Sequence, residues 1–302
     1  MCGIVGFLDK TKNEKSNIGE IILKMLMALG ERGPDSAGVA LYGNRCNGDM
    51  VLKIKLGEKG NFGGKGDAIA KQVQALGTVE EATTTAEYLR LVMNYQEDVR
   101  NLEHFIESID EDIEVVSMGR NLEIVKQVGS PQNLDTTYNI KQFVGTHGIG
   151  HTRLSTESAV DLSHSQPFWA HGCPDLAIVH NGHITNYHKM RRCYEQRGIK
   201  FYTENDSEII GIYLAEQFSK GLTLQEALEA SLIDLDGSFS YLATTPDAIG
   251  FAKDPFAFKP LLFTETDDFV AVATEEIAIC SAFEGVYKVR EAQAKEVRIW
   301  QR

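Results

Sequence analysis

The chain has 302 residues, 43% of them hydrophobic and 24% charged, which is ample material for a globular core and exceeds the ~100–200 residues of a usual domain. A formal net charge of −13 without any Lys/Arg-rich block argues against nucleic acid or an anionic membrane surface as a partner, and no apolar run approaches the ~20 residues of a membrane span. Five scattered cysteines (Cys2, Cys46, Cys173, Cys193, Cys280), odd in number and lacking a C-x-x-C pair, argue against a disulfide framework and suit the reducing cytoplasm.

Residues 3–8 (GIVGFL) read as a short buried strand, and the polar Asp9-Lys10 that follows is unlike a secretory signal. Ile18, Ile21, Ile22, Met25, Leu26 and Leu29 recur at helical period. Asn17 and Glu20 form a candidate capping pair before them, and Gly33-Pro34 is the stop. Strands are predicted at 37–42 and 50–56. The Gly-rich stretch 57–66 reads as a connection, because it has neither the GK[ST] ending of a P-loop nor a GxGxxG fingerprint.

Tyr88, Leu91, Val92, Tyr95, Val99, Leu102, Phe105, Ile106 and Ile109 make one apolar stripe, which predicts that the segment 60–140 is largely helical. Between 84 and 115 nine acids accompany only Arg90 and Arg100, and this face reads as solvated, with a docking surface as the alternative. From 143 onward strands are expected at 143–150, 176–180, 238–244, 248–252, 260–264 and 269–273, and helices at 185–197, 206–220 and 223–234. These strands cluster instead of alternating with helices, which predicts an α+β architecture of helix-covered sheets over a doubly wound parallel sheet.

Cys2 stands where removal of Met1 would leave a cysteine with a free α-amine. Such an amine has a reference pKa of ~7.7–8.0, so the nucleophile would carry its own base. Five motifs occur in order, the first beginning at Cys2 itself: CGIVGF at 2–7, RGPDSAG at 32–38, GHTRLST at 150–156, HNGHITN at 180–186 and TENDSE at 203–208. Together they resemble the glutaminase domain of class II glutamine amidotransferases, which are N-terminal-nucleophile hydrolases. The resemblance covers most of the chain outside 60–140. It implies a single domain over 1–302, a four-layer αββα sandwich with an inserted, largely helical segment at 60–140.

The resemblance also implies roles, and each fits the chemistry of free L-glutamine. Arg153 suits the substrate carboxylate, because guanidinium pairs with it bidentately. Asp206 suits the α-ammonium, with a helix N-cap as its structural alternative. Asn181 and Gly182 match an oxyanion hole, the first through its side-chain amide and the second through its backbone N–H. Arg32 and Asp35 resemble residues that wall the N-terminus, and Thr156 is expected at the substrate's backbone groups. DGSFSYLA at 236–243, DPFAFKPL at 254–261 and ATEEIAI at 273–279 resemble core segments of the fold.

A metal site is the competing reading, since seven of the eight histidines lie between 147 and 188, with His147 and His151 four apart. GTHGIGH is too glycine-rich for a helix, however, and no HExxH is present, so no metal is expected. The insertion and GRNLEIVKQVG at 119–129 resemble free-standing glutaminase subunits of the glutamate synthase or N-methylglutamate synthase type. That resemblance implies a separate synthase subunit carrying FMN and iron–sulfur centres, and no cofactor on this chain. The sequence leaves two alternatives. One is a regulatory or scaffold subunit with an amidotransferase fold, and the other an amidase of the bile-salt or penicillin type.

Overall fold

The computed structural model describes residues 2–11, 15–43, 49–58, 60, 62–155 and 159–302. The chain opens with β1 (Gly3–Asp9), α1 (Ile18–Ala28), β2 (Ser36–Tyr42) and β3 (Met50–Lys55). The insertion then forms α2 (Gly63–Val73), β4 (Thr78–Thr85), β5 (Tyr88–Asn94), α3 (Val99–Glu107), β6 (Glu114–Gly119), β7 (Leu122–Val128) and α4 (Pro131–Tyr138). After it come β8 (His147–Arg153), β9 (Phe168–Trp169), β10 (Ala177–Ile184), α5 (Tyr187–Gln196), α6 (Ser207–Ser219) and α7 (Leu224–Asp234). The chain closes with β11 (Gly237–Thr245), β12 (Ala248–Lys253), β13 (Leu262–Glu265), β14 (Phe269–Ala273), α8 (Glu276–Ala282), β15 (Arg290–Glu291) and β16 (Val297–Gln301).

Two antiparallel sheets form the centre. One runs β15-β13-β14-β1-β8-β2-β7 and the other β16-β12-β11-β10-β9. β1 is buried along its full length, as its unbroken apolar run requires. The sheets pack closely where Gly6 of β1 meets Leu242 and Ile249 of the opposite sheet. α1 lays Ile18, Ile22, Met25 and Leu26 on the first sheet, and α6 and α7 cover the second with Ile209, Ile210, Leu214 and Leu228. This is the αββα layering that the resemblance implies. Asn17 makes no side-chain cap to α1, and Glu20 instead pairs with Lys24 at 3.0 Å.

The insertion departs from expectation. It holds three helices, but four strands run between them, and β4-β5-β3-β6 form a third sheet of their own. β5 lies between β3 and β4 with Tyr88, Leu89, Leu91, Val92 and Met93 all buried, so both faces are apolar and the alternation that marks a half-buried strand is missing. The turn before it is Ala86-Glu87, with Ala86 at φ +48, and carries no Asn-Gly or Asp-Gly signature. The acidic face is not wholly solvated either. Glu114 is buried against Lys55 at 3.0 Å, and Glu103 is buried on His171 at 2.7 Å.

Candidate active site

Antiparallel register brings the motif residues to one end of the sandwich. Gly3 pairs with Thr152, so Cys2 leaves β1 where β8 ends at Arg153. Across the layers, β10 presents Asn181 and Gly182, and α6 starts directly after Asp206. Cys2, Arg153, Asn181, Gly182 and Asp206 thus line one cleft of about 470 Å³.

The Cys2 Sγ faces the Leu154 carbonyl at 3.8 Å, and its own carbonyl accepts from Arg32 Nε at 3.2 Å and Asn181 Nδ2 at 3.4 Å. Arg32 also pairs with Glu275, in the ATEEIAI segment, so it fastens the nucleophile's backbone to the start of α8. Arg153 is 4% exposed, and its guanidinium donates to the Ala159 carbonyl at 2.8 Å and Ser155 Oγ at 3.3 Å. Asp35 accepts from Ser155 N at 2.7 Å and supports the same wall. Thr156 lies outside the described residues.

Gly182 sits at φ +146, and a Cβ there would fall on the Ser238 carbonyl and 2.6 Å from Phe239 Cα. Only glycine allows β10 and β11 to pair this closely beside Asn181. Asp206 makes no side-chain cap to α6. Its Oδ2 accepts from Ile184 N at 2.7 Å, and Oδ1 faces His180 Nδ1 at 3.8 Å, beyond hydrogen-bond range. The N-cap alternative is therefore replaced by a brace onto β10.

The cleft also contains His164, Gln166, His180 and Ser207, which sequence reasoning did not single out as site residues. Gln166 Oε1 accepts from His180 N at 2.6 Å, its Nε2 donates to Ser207 Oγ at 3.1 Å, and His180 Nδ1 lies 2.8 Å from the same hydroxyl. This net ties the strand of Asn181 to the helix that follows Asp206.

His147 and His151 do not pair around a metal. His147 Nε2 lies 2.8 Å from the Thr245 carbonyl, and His151 Nε2 lies 3.1 Å from the His180 carbonyl. Burial pushes them down to about 4 and about 3, which keeps both rings neutral in the folded state. On unfolding they regain a pKa near ~6.5, so the stability they contribute is lost as pH falls from ~6.5 towards 4. Each group changes stability by up to ~1.4 kcal/mol per pH unit in that window. His180, also lowered by burial, acts with them, while His164, His171 and Glu208, all raised in the fold, oppose them over part of the window. The expected outcome is a lower urea midpoint at pH 5 than at pH 7, which a pair of denaturation curves would check.

Among the described residues, Glu103, Glu107 and His171 are the one trio spaced for a metal. It lies outside the Cys2 cleft, and in it Glu103 already binds His171 while the Tyr202 hydroxyl lies within hydrogen-bond distance of both carboxylates. No helix among the described residues is long and apolar enough to cross a membrane.

A helix-covered double sheet with a cysteine at the open end of its central strand is the arrangement of the N-terminal-nucleophile hydrolases. A family model described as "Glutamine amidotransferase domain" matches residues 151–281. The chain is 36% identical to a Methanothermobacter thermautotrophicus protein named "Putative glutamine amidotransferase", with 100% of both chains aligned. It is also 33% identical to the glutamine amidotransferase-like protein GlxB of Rhizobium meliloti, over 100% of this chain and 95% of that one. The chain therefore belongs to the class II glutamine amidotransferases, a family of enzymes. Its fold is similar to that of the glutamine phosphoribosylpyrophosphate amidotransferase of B. subtilis, with a TM-score of 0.63 at 20% identity. That match covers 99% of this chain but 47% of the solved one, so the chain spans about half the length of that relative.

Proposed function

We propose that the enzyme hydrolyses L-glutamine to glutamate through a thioester on Cys2 and passes the ammonia to a separate synthase subunit. The observation that carries this reading is the convergence of Cys2, Asn181, Arg153 and Asp206 on one cleft from four different parts of the chain. With Met1 removed, the Cys2 amine takes the thiol proton through a water, and sulfur attacks the side-chain amide carbon. Asn181 and the Gly182 N–H stabilise the oxyanion, the C–N bond breaks, and the protonated nitrogen leaves as ammonia. Water then cleaves the thioester and restores the thiol. Arg153 holds the substrate carboxylate and the open Oδ1 of Asp206 its ammonium, so selection reads the amino-acid end while chemistry occurs at the amide.

The acceptor subunit is of the glutamate synthase or N-methylglutamate synthase type, carrying FMN and iron–sulfur centres. The resemblance of 60–140 and 119–129 to free-standing glutaminase subunits supports this assignment. Ammonia release from L-glutamine by the purified chain, alone and with its co-purified partner, is the test. Turnover that rises with the partner is expected, and glutamine left intact in both would overturn the reading.

A further inference from the structure

The two poles of the cleft stand on different segments, and His164 straps those segments together. Arg153 is tied to the 159–165 segment through the Ala159 carbonyl, and Asp206 closes the stretch 203–206 ahead of α6. His164 Nδ1 lies 2.8 and 2.9 Å from the two oxygens of Asp161 in its own segment, and its Nε2 lies 3.3 Å from Glu204 Oε2 in the other. Its carbonyl accepts from Asn205 Nδ2 at 3.3 Å. Both ring nitrogens thus face carboxylates, which only accept, so the doubly protonated ring is the form that satisfies both contacts. The Asp161 hydrogen bond raises the His164 pKa against the opposing effect of burial. The far end of the strap is fixed to β3 and the residues just after it, where Leu162 N donates to Glu58 Oε2 at 3.0 Å and Ser163 bonds to Lys55.

We propose that His164 is a positioning residue. By holding Asp161 and Glu204 together it fixes the separation between Arg153 and Asp206, and so sets affinity for the α-amino-acid end of glutamine without touching the reacting amide. This rests on the reading of the cleft as a glutamine site. His164 lies between GHTRLST and TENDSE, outside the motifs that carry the family resemblance.

The test separates recognition from chemistry. His164→Ala is expected to raise KM for L-glutamine about tenfold while kcat stays within about twofold. Alkylation of Cys2 by iodoacetamide, which needs neither pole, is expected to keep its rate, whereas protection by L-glutamine shifts to about tenfold higher concentration. Glu204→Ala removes one end of the strap at a side chain that is 80% exposed, so folding is not at risk. It is expected to raise KM about threefold and to add nothing further in the His164→Ala background. Equal glutamine protection in wild type and His164→Ala would overturn this inference alone, as would a matching fall in kcat and alkylation rate, or additive effects of the two substitutions. Absence of glutamine protection in the wild type would overturn the reading of the cleft and the role of His164 with it.

Discussion

Replacing Cys2 with Ala is expected to abolish glutamine hydrolysis, a loss of roughly 10⁵-fold or more, because it removes the thiol proposed to form the acyl intermediate. Of the described cysteines, Cys2 alone lines the cleft. The substitution should spare the fold. The Cys2 thiol makes one long contact, to the Leu154 carbonyl at 3.8 Å, while the bonds from Arg32 and Asn181 fall on its main-chain carbonyl, which alanine retains. Ammonia release and the thermal midpoint, measured on the same preparation, check both halves of this prediction. An unchanged midpoint with activity lost assigns the effect to chemistry.

Asn181→Ala is the second large effect. The side-chain amide reaches the Cys2 carbonyl at 3.4 Å, the long end of a hydrogen bond, so it is not committed to a strong structural partner. In the proposed mechanism the oxygen that gains charge forms beside Cys2, and the same Nδ2 is the donor proposed for it. Loss of one such donor lowers kcat by about 10²–10³-fold, or ~2.7–4 kcal/mol of transition-state stabilisation. KM is expected to change little, because Asn181 is not one of the proposed contacts to the amino-acid end. A rise in KM with kcat preserved would instead make Asn181 a binding group.

The central layers were legible because their signals are local. GIVGFL became β1, and the helical stripe from Ile18 became α1. The residues of the cleft were legible for a different reason. Cys2, Arg153, Asn181, Gly182 and Asp206 lie in short motifs that the fold brings to one cleft, and their side chains suit the separate groups of the proposed substrate. The residues that hold those motifs together were not legible. His164 meets Glu204 across 40 positions and Gln166 meets Ser207 across 41, and no periodicity or turn signal encodes such pairings.

The insertion shows the converse limit. Leu89 and Met93 break the helical reading of β5, but a strand buried on both faces has no alternation to announce it. Glu103 and Glu114 read as surface acids, because the partners that make their burial tolerable are distant in sequence. They are His171 for the first, and Lys55 and Ser163 for the second.

The central claim is that Cys2, as the first residue of the processed chain, forms the acyl bond. Mass spectrometry of the N-terminal peptide from enzyme quenched during L-glutamine turnover tests it most directly. The account predicts a peptide that begins at Cys2 and carries a γ-glutamyl group on its thiol. Turnover by chains that retain Met1, or a γ-glutamyl group on any other residue, would contradict it.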